Sequence, residues 1–134
     1  MIYEGSISYI ATDKDGNDKV VKERFVIENA EFFSEAEAAL YATKRGRDLD
    51  VISIRRSSAK EVINDRNEDN DSVWLATVAD TQLDDDGNEK DIEYMIYLYS
   101  NSFDGAMNTV FEYMKQGYGM ELVTLKRTKI VDVI

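Results

Sequence analysis

The chain contains no cysteine and no histidine. Without Cys there are no disulfides, no thiolate nucleophiles and no zinc-thiolate sites. Without His, the commonest general base, the usual partner in a catalytic triad and the commonest transition-metal ligand are lost together. Any catalysis would have to rest on carboxylates, Lys, Tyr, Ser or Thr. No apolar run approaches the roughly 20 residues that cross a bilayer, and Met1-Ile2-Tyr3-Glu4 has neither a basic nor an apolar leader region. The expectation is a soluble, cytoplasmic protein with no membrane partner. Positive charge is also scarce: 16 Lys and Arg stand against 27 Asp and Glu, for a formal net charge of -11. Residues 1–71 hold 11 basic against 16 acidic residues, and residues 72–134 hold 5 against 11. Neither half is a basic module. Long-range attraction to a phosphate backbone is disfavoured, and the acidic balance serves a basic protein partner or plain colloidal solubility.

What is present is enough to fold. The chain is 43% hydrophobic with eight Tyr, five Phe and one Trp among 134 residues, well above an acidic disordered segment. That length suits one domain or two very small ones, and the need to offset chain entropy favours one shared core.

The pattern is read twice. Asp13-Lys14-Asp15-Gly16-Asn17-Asp18-Lys19 returns 71 positions later as Asp84-Asp85-Asp86-Gly87-Asn88-Glu89-Lys90. Alternating segments flank both copies. Tyr3, Gly5, Ile7 and Tyr9 on one side of the first run answer to Trp74, Ala76 and Val78; Val21, Phe25 and Ile27 answer to Ile92, Ile96 and Leu98. Two period-2 runs around an Asp-Gly turn predict a β-hairpin. A helix follows each. The first is expected at Phe33-Ser34-Glu35-Ala36-Glu37, with Ser34 as cap, Leu40 and Tyr41 as apolar face and Gly46 just past the end. The second is expected after Phe103, with Asp104 as cap, a stripe of Met107, Val110, Phe111 and Met114, and Gly117 as the stop. Phe33 and Phe103 are placed to staple the chain at each helix entry. Third strands run over Val51–Arg56 and Leu122–Arg127, each trailed by a short apolar tail, Glu61-Val62-Ile63 and Asp132-Val133-Ile134.

The reading is therefore an α+β protein made by tandem duplication of a β-β-α-β unit, in two layers, with a mainly antiparallel sheet and two helices. Residues 1–63 form the first repeat, 64–71 an acidic linker and 72–134 the second repeat. A three-stranded sheet with one helix is marginal alone, so the copies are expected to pack about a pseudo-twofold or to pair strands into a continuous sheet.

Three features invite a functional reading. Around Gly87, residues Asp84, Asp86 and Glu93 match part of the calcium-loop pattern of an EF-hand, yet Gln82 takes the first ligand position and strands flank the loop. A hairpin turn explains Asp, Asn and Gly more simply, and no metal or cofactor is expected. The basic pairs that end each third strand, Arg55-Arg56 and Lys126-Arg127, are local positive points that suit an anion, against the plainer reading of solubilising strand ends. Tyr97 and Tyr99 lie with Met95 on the face of their strand opposite Tyr94, Ile96 and Leu98. Such tyrosines near arginines can stack bases or make a protein interface; a central strand covered on both faces would read the same way. For enzyme function there is only a bare Ser57-Ser58-Ala59-Lys60 and no phosphate-cradling loop, so the protein is not expected to be an enzyme.

The runs Tyr3 to Ala11 and Val21-Lys22-Glu23, the helix start Phe33 to Ala38, Ile54-Arg55-Arg56, Trp74 to Val78 and Val131-Asp132-Val133-Ile134 resemble an uncharacterised family. Its members are small proteins of unknown function encoded by phages, prophages and mobile elements of gut bacteria. The resemblance implies a phage-type accessory protein in the bacterial cytoplasm or in a virion. The leading expectation is a non-catalytic protein that binds another protein, such as part of a nucleic-acid-handling complex. The alternatives are single-stranded nucleic-acid binding through Arg55, Arg56, Lys126, Arg127, Tyr97 and Tyr99, or a structural virion role.

Overall fold

The computed structural model describes residues 1–63, 71–117 and 119–134; most of the expected linker at 64–71 lies outside these. In chain order the elements are β1 (Tyr3–Thr12), β2 (Asp18–Ile27), α1 (Phe33–Ala42), β3 (Asp50–Arg56), β4 (Glu61–Ile63), β5 (Ser72–Leu83), β6 (Glu89–Ser100), α2 (Phe103–Met114), β7 (Glu121–Arg127) and β8 (Ile130–Val133). The fold is α+β. The strands form two four-stranded sheets rather than one continuous sheet, ordered β3-β1-β2-β8 and β4-β6-β5-β7.

Each hairpin is set by its turn. The Gly16 N–H donates to the Asp13 carbonyl (3.1 Å) and the Gly87 N–H to the Asp84 carbonyl (3.0 Å). Both glycines sit in the left-handed region, at φ 82° and 81°, where a side chain would strain the backbone. The alternation then delivers the expected faces: Tyr3, Ile7, Phe25 and Ile27 are buried beneath α1, and Trp74, Ala76, Val78, Ile96 and Leu98 beneath α2. Burial is shared between two clusters, one in each compact unit.

The units do not follow the chain order. One comprises residues 1–57 with 129–134, the other residues 58–128. The short tail of each half supplies the fourth strand of the opposite sheet: β8 runs parallel to β2 and β4 parallel to β6. Phe25 faces Asp132, and Ile96, 71 positions after Phe25, faces Glu61, 71 positions before Asp132. Chain reach explains the exchange. From Arg56 to Glu61 the backbone extends at most about 18 Å. The vacant place beside β2 lies three strand spacings from β3, about 14 Å across. The chain would also have to leave β3, pass over the ends of β1 and β2, and re-enter pointing the same way. So short a link has no slack for that reversal.

Both third strands carry a bulge. Between Ser6 and Ile7, and again between Thr77 and Val78, the pairing skips one residue of the neighbour, Ile52 and Val123. The extra residue turns both Val51 and Ile54 toward α1, and both Leu122 and Leu125 toward α2, at a three-residue spacing a flat strand would not allow.

The helix ends differ from the sequence reading. α1 starts two residues earlier, with Phe32 as N-cap and no side-chain cap, so Ser34 lies within the first turn. Phe33 packs edge-on to Tyr3, centroids 5.1 Å apart, and that contact draws the chain into the helix ahead of Ser34. In α2 the cap is Ser102, whose Oγ accepts the Gly105 N–H at 3.0 Å; Asp104 sits in the first turn instead, where its charge suits the helix dipole. After α2 the left-handed glycine is Gly119 (φ 75°), not Gly117, and it answers to Gly46 (φ 75°). The faces shift too. Ala36 and Leu40 are buried in α1 and Ala106 and Val110 in α2, while Tyr41 and Phe111 point outward.

One buried aromatic per unit ties sheet to helix. The Tyr3 hydroxyl donates to the Glu31 carbonyl (3.1 Å), and the Trp74 indole N–H to the Ser100 carbonyl (2.8 Å), so each ring fills the core while its polar end holds the loop before the helix.

Two predictions follow from packing. A Cβ on Gly5 would meet Leu40 Cδ1 at 2.5 Å, whereas the corresponding place in the other unit holds Ala76 with the smaller Val110 in its cluster. Gly5→Ala is therefore expected to cost about 1–3 kcal/mol in urea unfolding, and Gly5→Ala with Leu40→Val to recover most of it. Truncation after Thr128 removes β8 and the buried Ile130. Amide hydrogen exchange is then expected to accelerate at Phe25 and Val26 while Tyr97 and Leu98, paired with β4, keep their protection.

Candidate binding surfaces

The alternation of β3 and β7 splits each basic pair between two faces. Arg56 and Arg127 pair in register with Tyr3 and Trp74, on the helix side; Arg55 and Lys126 pair with Glu4 and Leu75, on the other. All four are exposed. The Arg127 Nε donates to the Ser72 Oγ at 3.1 Å. Arg55 is committed to an ion pair with Glu4, whose same oxygen, Oε2, also meets the Arg24 guanidinium at 3.4 Å. Glu4 is one of the few buried charged residues, and these two arginines compensate it. Sequence reasoning named Arg55 but missed Arg24 and Glu4; their signal, like residues opposed on neighbouring strands, requires the register.

Tyr97 and Tyr99 are 2% and 5% exposed. They lie on the face away from α2, on a strand flanked by β4 and β5, and offer no open ring face to a base. The acidic turns are likewise engaged. Asp13 Oδ1 accepts the N–H groups of Asp15 and Asn17, and Asp84 Oδ1 those of Asp86 and Asn88, all at 2.8–2.9 Å. These carboxylates serve as turn acceptors.

Two surface features emerge that the sequence reading had assigned to the core or had not marked. The first is an aromatic flank on each helix. Phe33 and Tyr41 in α1, and Phe103 and Phe111 in α2, are 44–53% exposed. The spacing of eight aligns each pair along one flank, with half-buried Met107 between the second pair. The apolar arc of each helix is wider than the sheet beneath it covers. The second is a hollow of about 510 Å³ in the unit of residues 58–128, walled by Glu61 and Ile63 of β4 and by Asn108, Glu112 and Tyr113 of α2. The Tyr113 hydroxyl lies 3.3 Å from that of Tyr94, and the Lys60 ammonium stands 4.3 Å above the Tyr94 ring. Burial, then the hydrogen bond with Tyr94, pushes the Tyr113 hydroxyl far above the usual tyrosine range. In the other unit Tyr9 is flanked by Arg47 at 4.9 Å and Lys44 at 5.5 Å, and its hydroxyl is pushed upward chiefly by its hydrogen bond with the Glu23 carboxylate.

The Tyr113 shift sets a pH dependence. Its folded value lies above the unfolded value of 10.0, so the unfolded chain releases the proton first. The stabilisation is intact below that value and is lost as pH rises above it. Unfolding free energies measured from about pH 9 to 11 are expected to fall more steeply for the wild type than for Tyr113→Phe.

Comparison with curated proteins and with solved structures gave no match. A family profile matches over residues 1–134. The chain belongs to the family defined by that profile, a domain of unknown function, DUF4494.

Proposed function

We propose that this protein is a non-catalytic accessory protein of the phage type that binds a basic protein partner, such as part of a nucleic-acid-handling complex, in the bacterial cytoplasm or in a virion. The observation that carries the reading is the aromatic flank repeated on both helices, Phe33 with Tyr41 and Phe103 with Phe111. Aromatic residues and Met are the types enriched at protein interfaces, and each flank stays about half exposed although Phe33 and Phe103 also rest against Tyr3 and Trp74. The net charge of -11 favours approach to a basic surface and raises the association rate with one.

Strand addition at the sheet edges fits less well. β3 and β7 carry bulges at Ile52 and Val123 and end in paired basic residues, which are devices that blunt an edge. Base stacking is also weakly supported, since Tyr97 and Tyr99 are buried. No described helix is long and apolar enough to cross a membrane.

Phe103→Ser with Phe111→Ser removes one flank; Phe103 also touches the Trp74 ring, so retention of the fold is checked first by circular dichroism and thermal unfolding. Tagged wild-type protein is expected to retain a stoichiometric basic protein from lysate of a phage-infected host, with recovery reduced at least about tenfold by the double variant, as loss of interface aromatics implies. Equal recovery with both proteins, or none with either across salt concentrations, contradicts the reading.

A further inference from the structure

On the face of the first sheet away from α1, β1, β2 and β3 bring Glu4, Ser6, Arg24, Ser53 and Arg55 around a hollow of about 160 Å³. Two guanidiniums meet there on one carboxylate oxygen, Glu4 Oε2. The two arginines outnumber the one carboxylate they share, in a chain of net charge -11. Arg24 and Arg55 have side chains 50% and 64% exposed, and each guanidinium carries five N–H donors, of which the shared oxygen occupies only a small part. Beside them the Ser6 and Ser53 hydroxyls lie 2.6 Å apart, and one of the two hydroxyl protons stays available to a further acceptor. In the other sheet the corresponding positions hold Leu75, Thr77, Met95, Thr124 and Lys126, so the arrangement exists once.

We propose that this hollow is a subsite for a single carboxylate of the protein partner, an Asp or Glu side chain or a chain terminus, held by Arg24 and Arg55 with help from Ser6 and Ser53. The inference rests on the protein-partner reading above. A hollow of about 160 Å³ has room for a small oxyanion head. Two arginines sharing Glu4 complement one added negative charge; a polyanion would meet the acidic field of the rest of the molecule. Planar guanidinium forks favour a planar carboxylate in bidentate geometry. The global charge draws in a basic partner, and this one hollow selects the partner that presents a carboxylate in register.

The test uses the full chain and acetate as probe, at ionic strength held constant with chloride, read by amide chemical shifts. Saturable millimolar shifts are expected at Ser6, Ser53, Arg24 and Arg55, with Thr77 and Thr124 unmoved as an internal control. Arg24→Gln and Arg55→Gln should each weaken the response about tenfold, and Glu4→Gln should tighten it about tenfold by freeing donors. If Glu4→Gln does not fold, the two arginine variants decide. Non-saturating shifts, equal shifts at Thr77 and Thr124, or a tighter response to a short single-stranded oligonucleotide than to acetate overturn the proposal. Because acetate needs no partner, failure here leaves the aromatic-flank docking standing, and failure of the capture experiment leaves the acetate result standing.

Discussion

The open edge of each hairpin's second strand governs the molecule. A β-β-α-β unit places its third strand beside the first, leaving the second strand with unpaired N–H and C=O groups along one side. The four residues between β3 and β4 leave little slack to carry the chain back to that edge, and each half of the sequence closes the sheet of the other half. The unit of residues 1–57 and 129–134 is assembled from two stretches of chain, whereas that of residues 58–128 is continuous; the crossing points, at Ser57 and Thr128, are tied by matching hydrogen bonds to the Ile2 and Val73 carbonyls (2.9 and 3.0 Å). The sheet of β1, β2 and β3 is complete only when β8 arrives from the far end of the chain, a contact of long sequence separation, whereas the second sheet closes with β4 from just ahead of it.

Within this frame the two units solve one packing problem with different side chains. Gly5 under Leu40 and Ala76 with Val110 exchange volume between strand and helix. Tyr3 and Trp74 both bury a ring and send a polar atom to the loop before the helix. The core-facing sides are thus alike in chemistry, and the bulges fall at positions 71 apart. The faces away from the helices are not alike. Where one sheet holds a buried carboxylate between two arginines, the other holds Leu75 between Met95 and Lys126. The helical flanks recur in both units, while the charged hollow is found in one.

Much of the local architecture was legible. Period-2 patterns around Gly16 and Gly87 located the hairpins, and the face carrying Tyr3, Ile7, Phe25 and Ile27 was readable because one side of each strand meets a helix. Both caps lie two residues ahead of the expected ones, since Phe33 packing on Tyr3 and the Ser102 hydroxyl outweighed the local appeal of Ser34 and Asp104. Tyr41 and Phe111 were assigned to the core because a helix's apolar arc does not reveal how much of it the sheet will cover. The same strand pattern left Tyr97 and Tyr99 open to two readings, a binding surface or a covered central strand, and burial decided between them.

By itself the sequence determined the elements that depend on near neighbours: turns that need a left-handed glycine, strands that alternate, and helices that begin after an aromatic. Only the tertiary structure decided that β4 and β8 change sheets, that Glu4 gathers Arg24 and Arg55, and that Ile52 and Val123 bulge outward. The reason is one of range. Periodicity and turn chemistry act over a few residues, whereas the partner of a strand edge is chosen by how far a short link can reach and which way the chain must point when it arrives.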